Sequence, residues 1–447
     1  MVRKDDLKRH KKAEYLPRLA EKRLALMASH FKVILVIGAR QVGKSTLLQH
    51  LLPELKCIEF DAVQDIHRAR TDPDLFLESF PAPFILDEVQ HVPALLNAIK
   101  RRVDQTDRPG QYFLTGSHNL MLLKTVSESL SSKDGDVPEI ARMARLFSGL
   151  TGRVGILRLE GMTPAEMAGR GKRGLSFLQN FFRDPDFADG FPPAPNLPLR
   201  PLTELLWRGS LPAALSLPDE LLFPFYESYV QTYVERDIRV VGDIRDLPDF
   251  GRFLGLVAAL TAQEINASQF GREAGVSSPT AKRWLDMLQT TFQWFEIPAF
   301  HGNTLKRISG KRKGYVLDSG LCCFLQRISS PQALLGSPLF GALFESWVVA
   351  EIRKQFITLD VAPQMYHWRT SGGGEVDLVL ERDGVLFPIE VKSSSHVTSH
   401  DSRGIRAFRD TYPKRQIGTG LLVYAGTEAF RLNSFTVAIP WKTLALG

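Results

Sequence analysis

Nine residues constrain this chain more than any others. Gly38-Ala39-Arg40-Gln41-Val42-Gly43-Lys44-Ser45-Thr46 reads G-x-x-x-x-G-K-[ST], directly after the apolar run VILVIG (33–38) and directly before the helical LLQHLL (47–52). Glycines at 38 and 43 let the backbone turn so that successive amide hydrogens face one point, and the following helix adds its positive end there. Such a cradle fits a nucleotide polyphosphate: Lys44 reaches the β and γ phosphates, and the Ser45 hydroxyl ligates Mg²⁺. A strand–loop–helix unit of this kind belongs to an α/β layer whose parallel strands carry function at their carboxyl ends.

Two further apolar runs have the same character. FILDE (84–88) ends in Asp87 and Glu88. Asp87 is positioned to hold Mg²⁺ through water and Glu88 to polarise an attacking water, so the pair points to ATP hydrolysis and not only ATP binding. YFLTG (112–116) ends among Thr115, Ser117 and Asn119, any of which is a candidate to orient that water, a capped turn being the plainer alternative. Arg153, in SGLTGRVGIL, precedes another apolar run and is the candidate to reach a neighbouring subunit's γ-phosphate.

At 447 residues the chain exceeds one ordinary core, and two to four domains are expected. No apolar run approaches the roughly 18–20 residues needed to cross a bilayer, and the charged start MVRKDDLKRHKKAEYL is unlike a secretory signal. Cys57, Cys322 and Cys323 give neither a disulfide framework nor metal-ligand spacing, so a cytoplasmic location is expected. The alternating pattern occupies residues 1–168, a proline-rich linker or insertion 169–202, a mainly helical region 203–332, and a helix followed by strands 338–447.

Net charge is +7, modest for this length, but basic residues bunch at 3–12 and at 305–314. The second bunch has a context. INASQFGREAGVSSPTAKRWLDMLQ (265–289) reads as a helix-turn-helix: a first helix ends at Gly275, Ser277 or Ser278 caps the second, and Ala281, Trp284, Leu285 and Leu288 form its buried stripe. Lys282 and Arg283 then face outward, suited to phosphate or groove contact. Two strands around the basic loop read as the wing of a winged helix, with Lys306, Arg307, Lys311, Arg312 and Lys313 at its hairpin. DNA is the expected partner, and a protein partner is the alternative.

In GGGEVDLVLERDGVLFPIEVKSSS (372–395), Asp383-Gly384 is a strong two-residue turn. Facing positions then have numbers summing to 767, which sets Asp377 opposite Glu390 and Glu375 opposite Lys392. Lys392 shares the face of Glu390, two residues away. Two acids and a lysine, completed by Glu345 on the preceding helix, make a candidate Mg²⁺ site with Lys392 to activate or stabilise a water.

The P-loop with its Arg40-Gln41-Val42 interior, LDEVQHVP (86–93), LTGSHNL (114–120), YVQTYVERDIR (229–239), YVLDSGL (315–321) and the closing IEVKSS resemble a bacterial and archaeal AAA+ ATPase family along nearly the whole chain. The resemblance implies a P-loop AAA+ core with a parallel sheet, a helical and winged-helix middle, and an end domain similar to the PD-(D/E)XK, restriction-endonuclease-like superfamily. Glu345, Asp377, Glu390 and Lys392 occupy that superfamily's pattern, Thr115–Asn119 the sensor loop, and Arg153 the arginine finger. Extra residues relative to the family pattern stand at about 124–148 and 169–202. The implied function is an oligomeric, DNA-processing ATPase using ATP and Mg²⁺. A nucleotide-dependent switch or scaffold for a protein partner, with a silent end domain, is the second reading, and an ATP-regulated nuclease the third.

Overall fold

The computed structural model describes residues 15–60, 63–118, 152–173, 176–187, 190, 197–238, 244, 247–302, 310–370 and 372–446. The strands fall into three sheets. The first joins β1 (Val33–Ile37), β2 (Cys57–Glu59), β3 (Phe84–Asp87), β4 (Tyr112–Gly116) and β5 (Val154–Arg158), all parallel, in the order β2-β3-β4-β1-β5. β1 is central and every residue of it is buried, which is why it reads as an unbroken VILVI rather than an alternating strand. Helices cover the sheet: Ala94–Asp104 buries Leu95, Leu96, Ala98, Ile99 and Val103, an apolar stripe at helical spacing.

The second sheet is small: β6 (Gln263–Glu264), β7 (Trp294–Pro298) and β8 (Arg312–Val316), antiparallel, with β8 in the middle. It packs with helices Ala267–Ala274 and Ser278–Thr290, the expected helix-turn-helix. Gly275 ends the first helix in left-handed conformation, φ 74°, and the Ser277 hydroxyl accepts from the Thr280 amide. Ala281, Trp284, Leu285 and Leu288 are buried, and Met287 joins them. The helix pair and the three-stranded sheet form one unit of the middle region.

The third sheet contains β9 (Gln364–Arg369), β10 (Glu375–Arg382), β11 (Val385–Lys392), β12 (Gly420–Tyr424), β13 (Phe430–Asn433) and β14 (Thr436–Pro440), ordered β13-β14-β12-β11-β10-β9. Leu378 faces Ile389 and Val379 faces Pro388, the expected register. Asp383 and Gly384 both have positive φ, 53° and 80°, as a two-residue turn that matches strand twist requires. Helix Phe340–Lys354 packs on β11 and continues to the edge of the first domain.

Residues 169–202 are not only a linker. Helix Phe177–Arg183 carries a reciprocal cap between Ser176 and Gln179, buries Phe177, Leu178 and Phe181, and sets Phe181 against Phe387 at 5.4 Å between ring centres. Seven residues are too few to display a period, so the proline-rich flanks dominate the sequence pattern. Further ties join the parts: Arg353 pairs with Glu160, and Lys354 Nζ donates to the Met162 carbonyl at 3.2 Å. No helix among the described residues is long and apolar enough to cross a membrane.

Candidate functional site

The loop between β1 and helix Lys44–Leu51 has the shape its glycines allow. A Cβ on Gly38 would lie 1.9 Å from the Leu159 carbonyl oxygen, and Gly43 has φ 93°, so neither position accepts a side chain without strain. Lys44 is buried, and its Nζ donates to the Gly38 and Ala39 carbonyls at 3.1 and 3.0 Å, folded over the hollow of its own loop. Burial lowers the Lys44 pKa, and Glu88, 3.9 Å away, opposes that shift.

The carboxyl ends of β3 and β4 supply the acids. Ser45 Oγ donates to Asp87 Oδ1 at 2.6 Å, and Thr115 Oγ1 donates to the same oxygen. Thr115 Oγ1 also accepts from the Glu88 amide at 2.9 Å, so it braces both acids. Gln90 Nε2 donates to Glu88 and, at 2.9 Å, to Ser117 Oγ. Burial alone would raise the Glu88 carboxyl, but Lys44, the Gln90 hydrogen bond and Arg40 hold it below its ordinary value. Gln90 Oε1 and His118 Nε2 are buried without a hydrogen-bond partner, two polar atoms left for a ligand or water beside Glu88. These residues fit a nucleotide with Mg²⁺: Lys44 could exchange its loop carbonyls for phosphate oxygens, and Ser45 and Asp87 would hold the metal and its waters. Of the candidates on the third strand, Thr115 and Ser117 join this network; Asn119 lies outside the described residues.

Three features here were not singled out in the sequence. Arg40 Nε donates to Asp237 Oδ2 at 2.6 Å, tying the loop to the turn Tyr233–Ile238 of the helical middle. Asp237 lies in the YVQTYVERDIR run, where its side chain is almost fully buried; an acid buried in an aromatic stretch was the available signal. Gln90 was visible only as the glutamine two places after Glu88. A mostly apolar cavity of about 440 Å³ adjoins Gly43 and Thr46, lined by Tyr15, Leu16, Leu199 and Pro212 among others. Its walls come from four distant segments, so no local pattern announces it.

Arg153 precedes β5 and lies beside the start of β1, where its carbonyl accepts from the Val33 amide. That is one strand length from the P-loop at the other end of β1, and Arg153 pairs with Asp104.

Residues 30–138 match the model of an AAA domain. Two further matches, both described as domains of unknown function, cover 199–332 (DUF8612) and 340–444 (DUF4143). Uncharacterized proteins of Mycobacterium bovis and Mycobacterium tuberculosis are each 26% identical over 411 residues, 91% of this chain and 80% of theirs. Among solved structures the chain is similar to a Walker-type ATPase of Pyrococcus abyssi, at 13% identity and TM-score 0.36 over 70% of this chain and 99% of that one. It is also similar to the RuvB Holliday junction branch migration motor of Thermotoga maritima, at 16% identity and TM-score 0.26 over 62% and 89%. The AAA domain carries its P-loop between β1 and the helix that follows, in the parallel five-stranded sheet.

Beyond the AAA domain, the basic wing differs from expectation. Lys282 is exposed, while Arg283 is half-buried with Nε unpartnered. Lys311 lies 3.7 Å from Glu264 and Arg312 3.9 Å from Glu296, so both have an acid nearby. Lys306 and Arg307, like the basic N-terminal run, lie outside the described residues. Lys313 is not at the surface. Strand alternation turns it to the opposite face from Arg312, where only 3% of it is exposed, among acids of the third sheet. Its expected role as a nucleic-acid contact is corrected accordingly.

Those acids are the C-terminal cluster. Lys313 Nζ stands 2.7 Å from Glu345 Oε1, 3.1 Å from Glu375 Oε1 and 3.5 Å from Asp377 Oδ1. Tyr315, two residues along β8, donates to Glu345 Oε1 at 3.0 Å. Lys392 bonds Glu390 at 3.3 Å rather than facing Glu375, which Lys313 holds instead. Asp377 Oδ2 accepts from the Val391 amide at 2.9 Å. Burial and the neighbouring Asp377 push Glu345 up to about 8 and Glu390 well above the ordinary range. The expectation of Mg²⁺ on Glu345, Asp377 and Glu390 thus meets an ammonium already among the acids; no group of three metal-ligating side chains is found among the described residues.

Proposed function

We propose that the chain binds ATP with Mg²⁺ in the AAA domain and hydrolyses it, and that the nucleotide state is passed to the winged helix, which contacts DNA. The observation that carries hydrolysis is Glu88: a carboxylate kept charged at the carboxyl end of β3, beside Lys44 and aimed by Gln90 and the Thr115 bond to its amide. In this reading Lys44 leaves its loop carbonyls for the β and γ phosphates, Ser45 and Asp87 would hold the metal, and Glu88 accepts a hydrogen bond from the attacking water. Bound Mg²⁺ supplies charge neutralisation of the phosphate oxygens. The cavity at Tyr15, Leu16 and Pro212 takes the base. Arg153 acts in a neighbouring copy, which makes the working form a homo-oligomer.

The path outward is short. Arg40, inside the phosphate loop, holds Asp237 in the helical middle, so a loop that re-forms around phosphates pulls on that contact. Support for DNA comes from the winged-helix arrangement and the exposed Lys282 at the second helix.

A second reading has its own observation. Lys311 and Arg312 each stand near an acid and Lys313 is buried, so among the described residues the wing offers less free positive charge than DNA binding favours. On that reading the chain is a nucleotide-driven switch for a protein partner. Steady-state ATP hydrolysis with and without single-stranded, duplex and branched DNA separates the two. Stimulation by one DNA, lost in Lys282→Glu, supports the first; Lys44-dependent turnover indifferent to every DNA supports the second.

A further inference from the structure

The C-terminal sheet holds the acid–lysine arrangement of a metal-dependent phosphodiesterase, yet a side chain from another part of the chain fills it. We propose that the Lys313 ammonium is the permanent cation of this carboxylate cluster and excludes a divalent metal from it, so that the end domain is silent as a nuclease. The inference deepens the reading above, since it concerns the end domain of the same ATPase.

Three observations carry it. First, Lys313 is delivered by β8, whose place is fixed on both sides: Lys313 pairs in register with Ile297 of β7 and with Glu264 of β6. Its side chain is therefore a wall of the end domain and not a tip of the wing. Second, its Nζ bridges Glu345 on the helix and Asp377 on β10, the two acids that would have to turn toward one ion from opposite sides. A magnesium ion requires oxygens at about 2.0–2.1 Å. An ammonium already hydrogen-bonded to those oxygens would leave a divalent ion and a unit cation a few ångströms apart in a buried place, where like charges repel strongly. Third, each acid also has a protein donor other than Lys313 that holds its direction: Tyr315 donates to Glu345, the Val391 amide to Asp377, and Lys392 to Glu390. The cleft beside the cluster, about 1310 Å³ and reaching Gln269 on the helix-turn-helix, lies open, so access is not what keeps metal out. Charge and geometry do.

The test is Mn²⁺ binding to the nucleotide-free full chain, read by electron paramagnetic resonance and by titration calorimetry, with Asp377→Asn as the reference for the C-terminal cluster. Wild type is expected to show no Mn²⁺ binding that Asp377→Asn removes. Lys313→Met is expected to gain such a site, at least about ten-fold tighter than any in wild type, because one unit of positive charge leaves the centre of the cluster. Lys392→Met, an equal charge change at its edge, gains less. Lys313→Arg keeps the cation and stays metal-free, which guards against a fold that fails in Lys313→Met. An Asp377-dependent Mn²⁺ site in wild type would overturn the proposal. So would a folded Lys313→Met that binds no metal, or Lys313→Met and Lys392→Met gaining equally. Because no nucleotide is present, none of these results bears on hydrolysis at the P-loop, and ATP turnover fails or succeeds separately.

Discussion

Glu88 sits in left-handed backbone conformation, φ 54° and ψ 51°, which costs a residue with a side chain about 1–3 kcal/mol. Its amide is held by Thr115 and its carboxylate by Gln90, so the strain buys direction: the acid is aimed at the loop rather than along the strand. Glu88→Gln keeps shape and burial but removes the charge, and is expected to bind a fluorescent ATP analogue like wild type while turnover falls about 10²-fold or more. Parallel losses of binding and turnover would mean that Glu88 only shapes the pocket. Gly38 is a sharper case. The Leu159 carbonyl 1.9 Å from its missing Cβ is pinned in place, since the Leu159 amide bonds Ile37 at 2.8 Å. Gly38→Ala is expected to lower stability by about 1–3 kcal/mol and weaken nucleotide binding with it, as a melting curve with and without ATP would show.

At the scale of elements, the helix-turn-helix depends on its cap. Ser277 accepts the Thr280 amide and starts helix Ser278–Thr290, so Ser277→Ala is expected to cost about 1 kcal/mol in a denaturant titration. Here the sequence was legible, because each boundary has a local cause: Gly275 for the left-handed stop, Ser277 for the start, and an apolar stripe between turns. The C-terminal hairpin was legible for a similar reason. Asp383-Gly384 fixes one turn, and alternation carries the register from there to Leu378 and Ile389, the neighbours of Asp377 and Glu390. Lys313 was not legible. In LKRISGKRKG it looks like any other cation of a basic run, and only the docking of β8 on the third sheet reveals which of Arg312 and Lys313 turns inward. The same holds for the Arg40–Asp237 bond, whose partners are 197 positions apart, and for the cavity beside Gly43, assembled from four segments. Local chemistry wrote the P-loop into the sequence; contacts between domains left no periodic trace.

For the whole molecule, the ties between parts matter most. The AAA domain meets the C-terminal unit through Arg353 and Lys354, the middle through Arg40 and Asp237, and the middle meets the C-terminal unit through Lys313 and Tyr315. On the proposed function, nucleotide binding at one end of this chain of contacts would have a physical route to the helix-turn-helix. Asp237→Asn keeps the size of the buried side chain and weakens the ion pair. It is expected to leave ATP affinity within a few-fold of wild type while uncoupling hydrolysis from DNA or another effector, seen as equal turnover with and without it. Underlying all of this is the claim that the AAA domain is a working ATPase. Steady-state ATP hydrolysis by the wild-type chain and by Lys44→Ala, prepared alike, tests it most directly. The account predicts measurable turnover that Lys44→Ala lowers to background; equal rates from the two proteins, or none from either in the presence of Mg²⁺, would contradict it.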